Sequence, residues 1–310
     1  MKRISIKLVS LICAVLLIVP MLSLSAFATE EKPFDNSEFY TEGKYTIHYR
    51  ILEAENEKGK MLMLHGFACS TSTWEPIAAE MVKNGYTCVL VDLPGFGYST
   101  RETEVKDEDV IAREALVINL MKKIAPINNW YIAGHSMGGG VAMNIACLEP
   151  TIKSLVLVCP CPIAEQTGIM AAMMASKPMG IMANFIFEHL TKITPLLRLV
   201  AYFAFMDWEF TKNYDLTPLS KPLQIHNTGY SNMITSVRAM PNDFEKTSKL
   251  EMPVFVAQAD KDMILTAAMK QQIADAFPAA TNYVVEGGGH MCNENRATEI
   301  SEQILAFIEK

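Results

Sequence analysis

The sequence predicts an α/β domain, a mostly parallel central sheet covered by helices on both faces and interrupted by a helical insertion. Short, continuous apolar runs such as Met61-Leu62-Met63-Leu64 and Cys88-Val89-Leu90-Val91 alternate with segments of helical spacing, the pattern of strands buried on both faces. The alternation lapses over about 161–250, where the chain is helix-like and rich in Met and aromatic residues, and then resumes. A serine flanked by glycines also stands where a strand passes into a helix.

The elements follow in order. At 310 residues, 50% of them hydrophobic, the chain can bury a sizeable core. Residues 45–51 alternate in the manner of a half-buried strand, and 61–64 read as a buried one. Ser72 or Thr73 is expected to cap a helix running to about Asn84, which Gly85 ends. Strand 87–91, helix 107–124, strand 130–133, helix 138–148 and strand 154–159 come next. Beyond the insertion lie strand 254–259, helix 267–277, strand 282–285 and a final helix near 294–308. The predicted domain therefore spans 45–310 with a helical cap at about 161–250, and 29–44 is a polar lead-in.

The first 28 residues are a separate matter. Lys2, Arg3 and Lys7 precede an almost wholly apolar run over 8–24, and Ala26-Phe27-Ala28 supplies small residues around a cleavage point. That is the layout of a secretory signal peptide, and the expectation is an exported, extracytoplasmic protein. The competing reading is an uncleaved membrane anchor, since the run approaches the roughly 18–20 residues that span a bilayer. Without the leader the chain carries 24 basic and 34 acidic residues, net −10. Such a balance excludes the basic footprint of a nucleic-acid partner. Six cysteines remain (Cys69, Cys88, Cys147, Cys159, Cys161 and Cys292), scattered through strands and helices. Most are expected to be free, buried thiols, with room for one disulfide. Cys159-Pro160-Cys161 is too closely spaced for a zinc pair, and no metal or cofactor is expected.

Gly134-His135-Ser136-Met137-Gly138 is a G-x-S-x-G turn, in which the serine sits on a bend that glycine neighbours permit. A serine hydroxyl is a poor nucleophile at neutral pH, so it needs a base in reach and a carboxylate to hold that base in the right tautomer. Among six histidines, His290 stands apart, after the last strand in the run Glu286-Gly287-Gly288-Gly289. Asp260 and Asp262 both follow the strand 254–259. Asp262 is preferred because the apolar pair Met263-Ile264 could pack its loop back onto the domain, leaving Asp260 solvated.

With His65-Gly66-Phe67 after one strand and Asp92-Leu93-Pro94-Gly95-Phe96-Gly97-Tyr98-Ser99 after the next, the chain resembles the α/β-hydrolase superfamily, in its group of capped serine esterases and lipases. The likeness covers about residue 45 to the C-terminus. It implies a catalytic Ser136–His290–Asp262 triad in that chain order and an oxyanion hole made by the backbone N–H groups of Phe67 and Met137. It also makes His65 a residue that orders its loop, and makes Asp92, Gly95 and Gly97 shapers of a turn, with Asp92 as a reserve acid. Ala259 stands where similar proteins often have Gly. Trp74 either lines the pocket or packs its helix.

Inserted after the strand that follows the nucleophile helix, the 161–250 segment would cap the serine and select substrates. Its Met and aromatic content suits core or an adaptable apolar pocket. The partner expected is a small, apolar, ester-like molecule. Ser136 argues against chemistry that uses an Asp nucleophile in similar folds, as haloalkane dehalogenation and epoxide hydrolysis do. C–C bond hydrolysis, cofactor-free peroxidation, amide cleavage and acyl transfer share the triad, and a binding protein on a hydrolase scaffold is the alternative from another class. Contact with a membrane or lipid surface is a further expectation, tied to retention of the N-terminal segment.

Overall fold

Among the described residues, eight strands build one sheet in the order β1-β2-β4-β3-β5-β6-β7-β8. β1 (Ser37–Glu42) pairs antiparallel with β2 (Tyr45–Leu52), and β2 with β4 (Tyr86–Val91). β3 (Gly59–Leu64), β4, β5 (Trp130–His135), β6 (Ser154–Val158), β7 (Val254–Ala259) and β8 (Thr281–Val285) are all parallel to one another. The computed structural model describes residues 32–310, and 36–310 form one compact unit. The leader over 1–28, read as signal peptide or anchor, lies outside the described residues.

Successive side chains of a strand face opposite ways, and the core divides accordingly. Leu62, Leu64, Val89, Val91, Leu155 and Leu157 bury one face under α2 (Arg113–Ile124) and α3 (Met137–Leu148). Met61, Met63, Cys88, Leu90, Val156 and Val158 bury the other under α1 (Glu75–Lys83) and α13 (Ala297–Ile308). Trp74 is fully buried in this second cluster, which decides for packing between its two predicted roles.

The predicted insertion holds α4 (Gly168–Met174), α5 (Lys177–His189), α6 (Thr194–Phe205), α7 (Trp208–Asn213), α8 (Thr217–Leu223), α9 (Thr228–Val237) and α10 (Phe244–Thr247). After β7 come α11 (Ala267–Ala276), β8, and α12 (Cys292–Asn295), which leads into α13. α9 docks on the turn after β4, where Asn232 Nδ2 donates to Gly95 O at 2.9 Å. A Cβ on Gly95 would stand 2.2 Å from Thr235 Oγ1, so glycine there lets this helix approach.

Two expectations need correction. The polar lead-in is not without structure, because Ser37–Glu42 forms the edge strand β1. Exposed residues on both of its faces, Glu38 on one and Phe39 on the other, leave no apolar alternation to read. Neither Ser72 nor Thr73 caps a helix: they lie inside a 3₁₀ turn, Thr71–Trp74, and α1 starts at Glu75 with Pro76 in its first turn. The hydroxyls serve that turn instead, Thr73 Oγ1 donating to Ser70 O at 3.0 Å and Ser72 Oγ bonding Ser70 Oγ at 2.9 Å.

Candidate active site

The carboxyl ends of the parallel strands converge, and there the loops bearing the candidate residues emerge, as is general for ligand sites in open α/β sheets. Ser136 sits between β5 and α3 with φ 52° and ψ −123°, a left-handed conformation that costs a non-glycine residue energy. The neighbouring glycines make the bend possible. A Cβ on Gly134 would lie 2.3 Å from Gly138 O, and one on Gly138 would lie 2.2 Å from Leu64 O. The Ser136 carbonyl accepts from Gly139 N at 2.8 Å and Cys161 N at 2.9 Å, which ties the turn to the chain after β6.

His290 and Asp262 complete the arrangement. Ser136 Oγ is 2.8 Å from His290 Nε2, and His290 Nδ1 is 2.7 Å from Asp262 Oδ2. With Nδ1–H donating to the carboxylate, Nε2 is left to accept the serine proton. Asp262 Oδ1 accepts from Ile264 N at 2.8 Å and Leu265 N at 3.1 Å. Burial works against ionisation of Asp262, but the bonds from His290 and these two amides outweigh it and hold the carboxyl below its ordinary range. Asp260 is exposed. The structure thus sets Asp262, not Asp260, against His290; Met263 and Ile264 are largely exposed, and backbone N–H groups rather than apolar packing anchor the loop. Ala259 ends β7 buried and outside the left-handed region, so no glycine is required there.

Met137 is the first residue of α3, so its N–H lacks an intrahelical acceptor and lies at the positive end of the helix dipole. Gly66 abuts the serine, since a Cβ there would lie 3.1 Å from Ser136 Cβ, and no acceptor among the described residues takes the N–H of the next residue, Phe67. The N–H groups of Met137 and Phe67 are thus without a protein acceptor among the described residues. His65 commits both ring nitrogens to backbone, Nδ1 to Gly66 O at 2.7 Å and Nε2 to Leu93 N at 3.0 Å. Burial lowers its pKa and keeps it neutral.

Two features escaped the sequence. His135 Nε2–H donates to the His290 carbonyl at 2.8 Å, bracing the base from the nucleophile's own turn. Burial, with the His290 charge second, brings its pKa down to about 3. The C-terminal carbonyls of α6 hold the histidine loop too: Gly289 N donates to Phe205 O at 3.2 Å and Met291 N to Ala204 O at 3.0 Å. The first was signalled only by a histidine at a variable position of the motif, and the second by nothing in the pattern.

All six described cysteines are free, and three of them (Cys88, Cys159 and Cys292) are buried. The Cys159 and Cys292 thiols are hydrogen-bonded at 3.7 Å and form no disulfide. Donor atoms of Cys159, Asp262 and His290 lie within 4.8 Å of one another, the one cluster of metal-ligating type among the described residues. Its chemistry suits a metal poorly, because the Cys292 thiol, and then burial, push the Cys159 thiol well above its ordinary range, and Asp262 and His290 are bonded to each other.

A family model described as the alpha/beta hydrolase fold matches residues 60–297, and the chain belongs to that family. Within it, the pimeloyl-[acyl-carrier protein] methyl ester esterase of Pseudoalteromonas atlantica is 33% identical over 104 residues, covering 33% of this chain and 37% of that one. This chain therefore matches little more than a third of that esterase. Monoacylglycerol lipase ABHD6 of Homo sapiens is 23% identical over 274 residues, covering 85% of this chain and 79% of that one. The solved epoxide hydrolase CorEH superposes with a TM-score of 0.68 at 16% identity, covering 88% of this chain and 98% of that one, which speaks for the fold alone.

Proposed function

We propose that this chain is an exported serine hydrolase that cleaves a carboxylic ester, or a related acyl bond, of a small apolar substrate. One observation carries the proposal, the unbroken hydrogen-bonded chain from Ser136 Oγ through His290 to Asp262 beside two unclaimed amide N–H groups. Ser136 Oγ attacks the acyl carbon while His290 Nε2 takes its proton. The Phe67 and Met137 N–H groups receive the charge on the carbonyl oxygen, and Asp262 stabilises the imidazolium. His290 then returns the proton to the leaving alkoxide, and water, deprotonated by the same nitrogen, releases the acid from the acyl-enzyme. The ester-hydrolase names of the two relatives above support this reading.

The test is a panel of p-nitrophenyl esters of graded chain length, with aryl amides and vinylogous diketones beside them, together with a serine-directed phosphonate. Ester turnover and labelling of Ser136 are expected. Folded protein that the phosphonate leaves unlabelled would instead be a binding protein on this scaffold. Export rests on the leader layout, which places the mature N-terminus near Thr29. Intact Met1 in the membrane fraction by mass spectrometry would make the segment an anchor.

A further inference from the structure

The methionine and aromatic residues of the insertion were expected in core or pocket, yet many of them face outward. On α5, Ile181, Met182, Phe185 and Ile186 are exposed, Ile181 at 71%, and their spacing places them on one side of the helix. The other side is packed: a Cβ on Gly180 would meet the Tyr230 ring at 2.4 Å, and Asn184 Oδ1 accepts from Tyr230 N at 2.8 Å. α6 repeats the design. Leu196, Leu199, Val200 and Phe203 are exposed at spacings of three and four, while Ala201 and Phe205 bury against Phe210, Tyr214 and Leu216.

Monomers rarely leave such contiguous apolar stripes to water, and a partner is the usual reason. Charge indicates which partner. From 168 to 206 the chain has three basic residues (Lys177, Lys192 and Arg198) and one acid, Glu188, against 24 basic and 33 acidic residues elsewhere. The pair Gly168–Met174 and Lys177–Lys192, bent by 53°, is apolar enough together to match a membrane segment in length and composition. An apolar face edged by lysines within an otherwise acidic protein complements an anionic lipid surface and repels most of its own chain. Trp208, at the start of α7, is 52% exposed with its ring edge-on to Tyr202 of α6, an amphipathic ring of the kind that settles at headgroup level.

We propose that the outer faces of α5 and α6 dock on an anionic lipid bilayer, a contact separate from the N-terminal segment and independent of the role given to Ser136. Because the carbonyls at the end of α6 hold the loop of His290, the docked face lies one helix away from the candidate base.

The chain has three tryptophans, of which Trp74 and Trp130 are fully buried and none falls within 1–31. Quenching of emission by bromine on lipid acyl chains therefore reports Trp208 and not the leader. With the full chain on vesicles of equal parts phosphatidylcholine and brominated phosphatidylglycerol, Trp208 should be quenched, and vesicles of brominated phosphatidylcholine alone should quench far less. Ile181→Glu, Met182→Glu, Leu199→Glu and Phe203→Glu together should abolish quenching while near-ultraviolet circular dichroism is unchanged. Should that protein fail to fold, Lys177→Gln with Lys192→Gln removes only two exposed charges and should raise the vesicle concentration for half-quenching by about thirtyfold. Sedimentation of the chain with vesicles while Trp208 stays unquenched would overturn the proposal, leaving the leader as the sole contact. So would a solution dimer that the fourfold variant dissociates, since a second copy would then cover the face.

Discussion

The described residues hold two Ser–His–Asp chains with matching hydrogen-bond lengths. At the carboxyl ends of the parallel strands Ser136, His290 and Asp262 are joined at 2.8 and 2.7 Å. At the antiparallel edge Ser37, His48 and Asp92 are joined at 2.8 and 2.7 Å as well. Even the acids match, for Asp92 accepts from Thr71 N at 2.6 Å and Tyr98 N at 2.9 Å just as Asp262 accepts from two backbone amides. The surroundings differ. Ser37, His48 and Asp92 are wholly buried, and Ser37 opens a strand, whereas Ser136 is 7% exposed on a strained turn that opens a helix. Hydrogen-bond lengths do not define a nucleophile; access and nearby amide donors for a developing charge do.

The largest expected effect separates the two serines. Ser136→Ala should lower ester kcat by about 10⁶, as loss of the nucleophile does where a triad acts as a unit. Ser37→Ala should leave kcat within about twofold and cost on the order of 1 kcal/mol of stability, the ordinary worth of a hydrogen bond. Steady-state kinetics with a denaturant titration checks both. Comparable losses of kcat would erase the distinction.

The acids come next. Asp262→Asn should cut kcat by about 10⁴ with the fold intact, because the histidine loses its correct tautomer. Asp260→Asn, at an exposed carboxylate, should stay within a few-fold, and a larger loss there would move the acid two residues earlier. Asp92→Asn should affect the fold instead, by about 1.5–3 kcal/mol, since it weakens the hydrogen bonds that His48 and two backbone amides make to a buried carboxylate. Both buried aspartates are held below their ordinary value of 3.8 in spite of burial, chiefly by their histidines. A carboxyl with a depressed folded pKa adds stability above its unfolded value and loses it as pH falls through the folded one. Acid unfolding should accordingly set in below about pH 4 and shift in Asp92→Asn, as followed by circular dichroism.

The comparison also shows what a sequence can reveal. Ser136, Asp262 and His290 were legible because each follows a strand and glycines mark the turns at Ser136 and His290. The Ser37–His48–Asp92 chain was not, since Ser37 lay in a segment of mixed polarity whose strand forms only by pairing with β2. Asp92 was read as a turn residue; Gly97, with φ 52°, shows why, as a Cβ there would fall 2.0 Å from the Asp92 carboxyl carbon. The outward face of α5 and α6 was illegible for a similar reason. Helical periodicity predicts one apolar side, but a helix apolar all round leaves open which stripe the neighbour takes.

The smallest effect comes from a third buried carboxyl, which shows what the two aspartates would be without their donors. Glu294 follows His290 by four residues and is buried, yet only Tyr214 Oη donates to its Oε2, and its Oε1 has no partner among the described residues. Burial, against the Tyr214 bond and aided by nearby Glu75, pushes its pKa from 4.5 up to about 8. The folded protein therefore binds a proton that the unfolded chain has released over this range, and stability falls as pH rises between those values, at no more than about 1.4 kcal/mol per pH unit. From pH 7 to 9 most of that slope ends near pH 8, so the wild type should lose about 1.4 kcal/mol, or roughly 3–5 °C in Tm. Glu294→Gln keeps the shape and the acceptor for Tyr214 but cannot ionise. The gap between its Tm and that of the wild type should therefore widen by about that amount from pH 7 to pH 9, read by thermal melts across the series. Parallel curves for the two proteins would mean that Glu294 is already ionised at neutral pH and that its burial is compensated as fully as that of Asp92.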